Sequence, residues 1–363
     1  MSAEEDYFPT DYWQARARFR AAATDAGAHL ETLANPALGP DGRALTCDLA
    51  WHGPENAERI LVTLSATHGV EGFCGSAVQS GWFESGLAAG RPAGVALLQV
   101  HAINPHGFAF ERRVTEGNVD LNRNFVEHDA SYPANSGYEE LAEALCPEDW
   151  SDAAIAAGDR LLDDYGERHG IDALARAVSG GQYSHPLGIF YGGTAATWSN
   201  RALRSIFSRL RSAKAVAAID YHTGLGPSGH GERICPHPPG SPALARAEAW
   251  YRGDITSPAL GTSSSAELQG VNLLGMEEAL AGSGCALTAI ALEYGTLPTL
   301  EVRHALRADN WLHAHGQQGS PKGRAIKEQI RAAFYPETRD WKRAVWERAV
   351  ETQRLALAGL AES

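Results

Sequence analysis

Four polar side chains stand at the ends of apolar stretches that are far apart in the sequence. His68 and Glu71 follow one stretch, His222 follows a second, and Glu293 lies near the end of a third. Two imidazoles and one carboxylate can bind a zinc ion at about 2.0–2.2 Å and leave its fourth position open for water, as catalytic sites require. This set therefore indicates a catalytic zinc site. Because His-x-x-Glu alone is a common pattern, the alternative is a group of unrelated polar residues with local hydrogen bonds.

These side chains need a sheet that brings strand ends together. Buried strands are predicted for the apolar runs 60–66, 94–104, 215–223 and 286–296. The segment between the first two runs has the length of a helix that returns across a sheet. This alternation predicts an α/β fold with a mixed, mainly parallel central sheet and helices on both faces. Ligands bind at the carboxyl ends of the strands in such open sheets.

The rest of the chain is predicted to be mostly helical. A capped helix ends near Gly27, and a turn at 40–42 separates two short apolar runs that are expected to form a hairpin. Further helices are predicted around 140–165, 197–212, 299–312, 322–334 and 338–358. Since no linker rich in Pro, Ser or Gly divides the sequence, residues 1–363 are expected to form a single catalytic domain with a helical insertion around 126–190.

Five short motifs occur in a defined order around the four polar residues. They are HGVEG (68–72), INPHG (103–107), ERRVTEGNVDLNRNF (111–125), DYHTGLG (220–226) and LEYGT (292–296). In this order they resemble the zinc carboxypeptidase (metallocarboxypeptidase) family, and most of all a bacterial branch without an assigned function. The resemblance extends from about residue 55 to residue 300, and VDLNRNF (119–125) is its most specific part. It implies a carboxypeptidase-like fold.

The family pattern implies a role for each residue that it matches. His68, Glu71 and His222 match the zinc ligands, and Asp120 matches the carboxylate that orients a zinc-bound imidazole. Glu293 matches the glutamate that takes a proton from the zinc-bound water and passes it to the leaving amine. The resemblance therefore implies Zn2+ as the cofactor.

Substrate recognition is implied for the third motif. Asn122 and Arg123 match the pair that binds the free carboxylate of the substrate, a task that the guanidinium fork suits. A structural role in a turn is the alternative for both. Arg113 matches the arginine that polarises the scissile carbonyl and stabilises its oxyanion. Its spacing from Asn122 favours Arg113, but the adjacent Arg112 leaves the choice open.

Two features depart from the family pattern. Relatives commonly have Asn-Pro-Asp-Gly where this chain has INPHG, and a turn set by Pro and Gly tolerates the histidine at position 106. The family also has a mobile tyrosine over the substrate. Tyr191 and Tyr294 are the candidates for it, and a structural role is favoured for each.

The predicted function is that of a zinc-dependent metallopeptidase, carboxypeptidase-like, which hydrolyses an amide bond next to a free carboxylate in a small peptide. The alternative enzyme is an N-acyl amino acid deacylase (amidohydrolase) of the aspartoacylase-like type, which uses a similar metal set. A catalytically silent metal-binding protein is the alternative from another class. Glu293 and Arg113 argue against it, because binding alone needs neither.

Composition argues against several other classes of partner. The 363 residues carry a formal net charge of -13 without a basic stripe, which argues against nucleic acid. No stretch approaches the roughly 18 apolar residues of a membrane span, and the N-terminus lacks the apolar core of a signal peptide. A cytoplasmic protein without membrane partners is therefore expected. The five cysteines lie far apart and are expected to be buried free thiols. The sequence does not indicate an oligomeric state.

Several other patterns carry weaker expectations. GLGPSG (224–229) fits Gly-x-Gly-x-x-Gly, but no helix is predicted after it, so a flexible loop is expected. His237, His313 and His315 are expected to be ordinary surface or helix-end histidines, and the alternative is that they are extra metal ligands. Neither His-Glu-x-x-His nor Gly-x-Ser-x-Gly occurs, so the common signatures of zincins and serine hydrolases are missing.

Overall fold

The computed structural model describes residues 4–363. In this part of the chain, one sheet of seven strands forms the centre of the molecule, with the strand order β1-β2-β4-β3-β5-β7-β6. The strands are β1 (His29–Leu38), β2 (Ala44–His52), β3 (Arg59–Leu64), β4 (Val95–His101), β5 (Ala215–Ser228), β6 (Gly231–Ile234) and β7 (Ala286–Gly295).

Twelve α-helices in the described residues surround the sheet. Many begin at a polar residue whose side chain accepts a hydrogen bond from a main-chain N–H of the first turn, as Asp11, Thr197 and Ser320 do. The helices are α1 (Tyr12–Asp25), α2 (Gly72–Glu84), α3 (Pro105–Ala109), α4 (Ser136–Leu145), α5 (Asp152–His169), α6 (Ile171–Ser179), α7 (Trp198–Ser208), α8 (Pro242–Trp250), α9 (Asn272–Leu280), α10 (Thr299–Ala314), α11 (Pro321–Phe334) and α12 (Arg339–Glu362).

The central strands of the sheet are parallel. β4, β3, β5 and β7 are adjacent and pair in parallel. The hairpin β1–β2 extends one side of this block with antiparallel pairs, and β6 extends the other side. The predicted mixed sheet with parallel central strands is confirmed, as are the four predicted strands and the hairpin.

Both faces of the sheet are covered, as predicted. Ala217, Ile219 and Tyr221 of β5 pack with α1, α2, α8 and α12 in one hydrophobic core. Val216 and Ala218 point to the opposite face and pack with α7 and α9 in a second core. Because a strand that is buried on both faces can be apolar on both, the central strands are mainly apolar, with a few buried polar residues such as Thr63 and Gln99. The helices α4, α5, α6, α10 and α11 form a third core beside the sheet.

The segment 224–229 is not a flexible loop, and that prediction was wrong. β5 continues to Ser228, with a bulge between Gly224 and Ser228 where it pairs with Gly295 of β7. Gly224 and Gly226 have φ values of 138° and 95°, which glycine adopts without a steric cost. The chain then turns back as β6, which is antiparallel to β7. The lack of a predicted helix after this segment indicated a loop, but pairing with β7 forms a strand.

Two further features concern cysteines and membranes. All five cysteines are free thiols, as expected, but Cys146 and Cys285 are only partly buried, so the expected burial is wrong for these two. Within residues 4–363, none of the helices has both the length and the apolar character needed to cross a membrane.

Candidate metal centre and active site

The predicted site residues meet where the parallel strands end. His68 follows β3, His222 lies on β5 just beyond the level at which β3 ends, and Glu293 lies near the carboxyl end of β7. His222 and Glu293 are direct partners in the parallel register of these two strands. Their side chains therefore project from the same face of the sheet. The fold thus brings three distant segments of the sequence to one place.

The turn between His68 and Glu71 is held against the third motif. Gly69 lies in this turn, where an added Cβ would be only 1.9 Å from the carbonyl carbon of Gly107. The main chain of the turn thus lies directly against the segment that contains Gly107 and Arg113. In this position, Gly69 N donates a hydrogen bond to Arg113 O at 3.1 Å. A glycine is therefore needed between the two predicted ligands.

The three predicted ligands converge on one point. His68 Nδ1 lies 2.9 Å from Glu71 Oε1. His222 Nδ1 lies 3.1 Å from Glu71 Oε2 and 3.2 Å from His68 Nδ1. One ligand atom from each residue lies within 4.8 Å of the others, and all three side chains are buried. In the described part of the chain, no other group of His, Cys, Asp or Glu side chains has this spacing.

Each imidazole also has a carboxylate at its other nitrogen. His68 Nε2 lies 3.2 Å from Asp120 Oδ1, and His222 Nε2 lies 2.7 Å from Asp220 Oδ2. For His222, a proton on Nε2 that is donated to Asp220 leaves Nδ1 free to bind a cation. His68 Nε2 also lies 2.8 Å from Arg113 Nη2, which can only donate. Asp120 lies where the resemblance places it. Asp220 was missed, although it precedes His222 by two residues on a strand and must therefore share its face.

This donor set fits a zinc ion. Two imidazole nitrogens and one carboxylate are the ligands that catalytic zinc sites use, and three protein ligands leave a position for water. The contacts behind the ligands also fit, because carboxylates orient the imidazoles of His68 and His222. Thr223 N donates to Glu71 Oε2 at 3.1 Å and fixes that carboxylate as well.

The two glutamates have opposite pKa shifts. Burial acts to raise the pKa of Glu71, but His68 and His222 beside it lower that pKa overall. Burial and the negative charge of Glu71 raise the pKa of Glu293 to about 7. Glu293 Oε1 also accepts a hydrogen bond from Leu225 N at 3.0 Å. Two carboxylates whose pKa values are separated in this way suit a metal ligand and a group that exchanges protons near neutral pH.

Of the two adjacent arginines, Arg113 reaches the ligand group. Arg113 Nε donates to Asp120 Oδ2 at 2.9 Å, and its Nη1 donates to Glu71 Oε1 at 3.1 Å. Arg112 points away and contacts Asp309, with Nε 3.4 Å from Oδ2. The structure therefore brings Arg113, and not Arg112, to the site.

Arg123 is a buried cation without an acidic partner. Its side chain is 2% exposed, and burial lowers the pKa of Arg123 to about 10. Nε and Nη2 donate to Ser179 O at 3.0 and 2.6 Å, and Nη1 donates to Asn122 O at 2.8 Å. Among the described residues, no Asp or Glu forms an ion pair with it. One N–H on each of Nη1 and Nη2 remains for a ligand.

A chain of buried hydrogen bonds joins Asn122 to the ligand group. Asn122 Oδ1 accepts from Asn272 N at 2.9 Å, and Asn272 Nδ2 donates to Asp220 Oδ2 at 2.7 Å. Asp220 also accepts from Thr67 Oγ1 at 2.9 Å. Asn272 was missed because it lies in a segment with no predicted element, and its partners are distant in sequence.

The two candidate tyrosines are buried. Tyr294 faces away from Glu293 and donates from its hydroxyl to Val345 O at 3.1 Å. Tyr191 lies closer, since its carbonyl oxygen accepts a hydrogen bond from Asp120 N at 2.7 Å. The structural role expected for Tyr294 is thus observed.

The other histidines lie outside the ligand group. His237 is buried, and its Nε2 accepts a hydrogen bond from Ala289 N at 2.9 Å. His313 Nδ1 accepts from Gln318 Nε2 at 3.0 Å near the end of α10, and His315 follows that helix. His237 is therefore a buried residue rather than a surface one.

Several solved structures are similar to this chain. Carboxypeptidase A from Helicoverpa armigera is 13% identical, with a TM-score of 0.46 over 89% of this chain and 73% of that chain. Bovine thrombin-activatable fibrinolysis inhibitor is 10% identical, with a TM-score of 0.43 over 96% and 99%. A putative succinylglutamate desuccinylase/aspartoacylase from Shewanella frigidimarina is 17% identical, with a TM-score of 0.35 over 80% and 72%.

Comparisons of sequence give a family without a described activity. No curated protein matches the chain at a significant level. The profile of one family, described as "Protein of unknown function (DUF2817)", matches residues 8–348. Since this match spans nearly the whole sequence, the chain belongs to the DUF2817 family.

Proposed function

We propose that this protein is a zinc-dependent hydrolase that cleaves an amide bond next to a free carboxylate, most simply as a carboxypeptidase on small peptides. The observation that carries this proposal is the buried group of His68, Glu71 and His222, with Glu293 on the neighbouring strand. These three residues would hold the ion. When bound, zinc supplies Lewis acidity and lowers the pKa of its water towards about 7.

The residues around the ligands would share the proton transfer and the stabilisation of charge. Glu293, with a pKa near neutral, can take a proton from the attacking water and give it to the leaving amine. Arg113 lies beside Glu71 and can donate hydrogen bonds to the oxygen of the scissile carbonyl as negative charge develops on it. Loss of one such donor typically costs about 10²–10³ in rate.

The unpaired charge of Arg123 supports a substrate with a free carboxylate. A buried guanidinium without an anion is costly, and a carboxylate can accept from both of its terminal nitrogens. Asn122 lies next to it, and its Nδ2 has no partner among the described residues. The two side chains therefore offer donors from adjacent positions.

The burial of the site favours a small substrate and supports a second candidate function. Glu293 and Asn122 are each 8% exposed, and Arg123 is 2% exposed. The helices α4–α6, which we propose to be an insertion around residues 126–190, contact the site at Arg123, which donates to Ser179 O of α6. We propose that they restrict access to it. An N-acyl amino acid is as small as a dipeptide and has the same carboxylate, so an N-acyl amino acid deacylase is the second candidate.

The test is an assay of matched substrates. Dipeptides and the corresponding N-acyl amino acids, which lack the α-amino group, are assayed with the zinc-loaded protein, after chelation and after zinc is restored. We expect turnover that is lost with chelator and returns with zinc, and the preferred member of each pair separates the two candidate functions. Turnover that is insensitive to chelation, or none with zinc-loaded protein on either class, would overturn the proposal.

A further inference from the structure

Phe190 has a strained main chain beside the site. Its φ is 58°, in the left-handed region, and its side chain is only 7% exposed. A bulky L-residue avoids this region, so the conformation persists only where surrounding contacts enforce it. Strained residues of this kind are enriched at functional sites, and the contacts of the Phe190 ring indicate what its function is.

The Phe190 ring lies against both arginines of the site. The Cζ atom of Arg113 is 5.2 Å from the ring centroid, and the Cζ atom of Arg123 is 5.4 Å from it. Cations within about 6 Å of an aromatic centroid are attracted to its face. The positive charges of Arg113 and Arg123 repel each other. Because the Phe190 ring attracts both guanidinium groups, it acts against this repulsion and holds the two side chains near each other.

The main chain around Phe190 is held on both sides. Tyr138 of α4 donates from its hydroxyl to Ile189 O at 2.9 Å. On the other side, Asp120 N donates to Tyr191 O at 2.7 Å. The segment that carries the ring is therefore joined to α4 and to the aspartate that binds Arg113.

We propose that Phe190 is a positioning residue for substrate recognition, whose ring keeps the guanidinium groups of Arg113 and Arg123 in place. This inference rests on the proposed function, in which Arg123 binds the substrate carboxylate. In this position Arg123 uses one N–H of Nη1 and one of Nη2 in hydrogen bonds to the main chain. The second N–H of each nitrogen can donate to that carboxylate. The ring also keeps Arg113 beside the ligand group. The competing explanation is that Phe190 only fills space, in which case an aliphatic side chain would replace it.

The kinetic test compares three variants. Phe190→Leu keeps a buried apolar side chain but removes the ring, Phe190→Tyr keeps the ring, and Phe207→Leu makes the same change at a buried site in the core under α7. We expect Phe190→Leu to raise KM for a free-acid substrate about tenfold, within the range of cation–π contacts, and much less for the corresponding amide. Phe190→Tyr and Phe207→Leu should stay within about twofold of wild type.

A spectroscopic measurement tests the same inference without turnover. In zinc-loaded protein with 15N-labelled arginine, the Nε–H signals of Arg113 and Arg123 are assigned from Arg→Lys variants. We expect the Nε–H protons of both arginines to exchange with water faster in Phe190→Leu, because the side chains are held less firmly, and at the wild-type rate in Phe207→Leu. Phe190→Met takes the place of the leucine variant if that variant does not fold.

The two measurements separate failure of this inference from failure of the proposed function. Wild-type exchange rates of both Nε–H protons in Phe190→Leu, or an equal change of KM for acid and amide, would overturn the role of Phe190 even in an active enzyme. A wild type that does not distinguish acid from amide would instead remove the carboxylate role of Arg123. Faster exchange of both Nε–H protons would then still support a positioning role of the ring.

Discussion

Asp220 Oδ2 lies 2.7 Å from His222 Nε2, and the two residues share one face of β5. The carboxylate thereby fixes the ring of a proposed zinc ligand and favours the tautomer that binds metal through Nδ1. Residues in this position affect metal binding without touching the metal.

We expect Asp220→Asn to weaken zinc binding by about 10–100-fold, since an amide stabilises the imidazole less than a carboxylate does. The measurement is competition for zinc with a chromophoric chelator. Asp159→Asn, outside the site, serves as the control and should bind zinc as wild type does. Equal affinities in all three proteins would show that Asp220 does not support the ligand.

His68→Ala and His222→Ala should each lose the bound zinc. Wild-type protein should carry about one zinc per chain, because two imidazoles and one carboxylate form a single site. His237→Ala, which changes a buried histidine outside the ligand group, should keep it. Metal analysis of the purified proteins is sufficient, and unchanged zinc in the first two variants would remove the ligand assignment.

Glu293→Gln should separate metal binding from chemistry. The amide oxygen can still accept from Leu225 N, but the side chain can no longer take a proton. We expect normal zinc content and a kcat at least about 10²-fold lower, the lower limit of what a general base contributes. A wild-type kcat in this variant would mean that another group accepts the proton.

Arg123 should determine the preference for a free acid. Amidation of the substrate leaves the buried guanidinium without an anion, and sites of this kind reject the wrong analogue by up to about 10⁴–10⁵. Arg123→Ala should therefore lower kcat/KM for the acid far more than for the amide. Two enzymes and two substrates give a cycle of four kcat/KM values. An equal loss on both substrates would end the carboxypeptidase proposal but leave the zinc site intact.

His101 should make stability depend on pH. It is buried against Phe19, and burial lowers the pKa of His101 to about 4. Below about pH 6.5 the unfolded chain binds a proton at this imidazole that the folded chain does not bind until about pH 4. The free energy of unfolding should thus fall as the pH decreases through this window, by about 2 kcal/mol between pH 7.5 and 5.

The measurement for His101 is urea denaturation at both pH values. His101→Gln, which can still form a hydrogen bond with Ser76 Oγ, should lack this part of the pH dependence. His29→Gln, at an exposed position, should retain it. The same pH dependence in wild type and His101→Gln would mean that the imidazole does not contribute.

Much of the fold could be predicted because the central strands have a strong local pattern. Runs such as 60–66 are apolar at almost every position, which is typical of strands covered on both faces. β6 could not be found in this way. It has only the four residues Gly231–Ile234, and its pairing with β7 depends on the tertiary structure. The helices α8 and α9 were missed in segments that show many turn-forming residues.

The site residues could likewise be predicted only where a local sequence pattern identifies them. The motifs located His68, Glu71 and His222, and the structure brings them together. Asp220 could have been predicted from the alternation of side chains along the strand, because it lies two residues before His222. The position of Asn272 between Asn122 and Asp220 could not have been predicted, because it depends on how α9 packs on the sheet.

His222 and Glu293 are opposite each other on the adjacent, hydrogen-bonded strands β5 and β7 of the central sheet. Their separation is thus set by the spacing between neighbouring strands rather than by a mobile loop. In the proposed reaction, the group that accepts the proton and a ligand of the metal are already assembled before substrate arrives. Substrate binding energy is then available for orienting the scissile bond rather than for organising the enzyme.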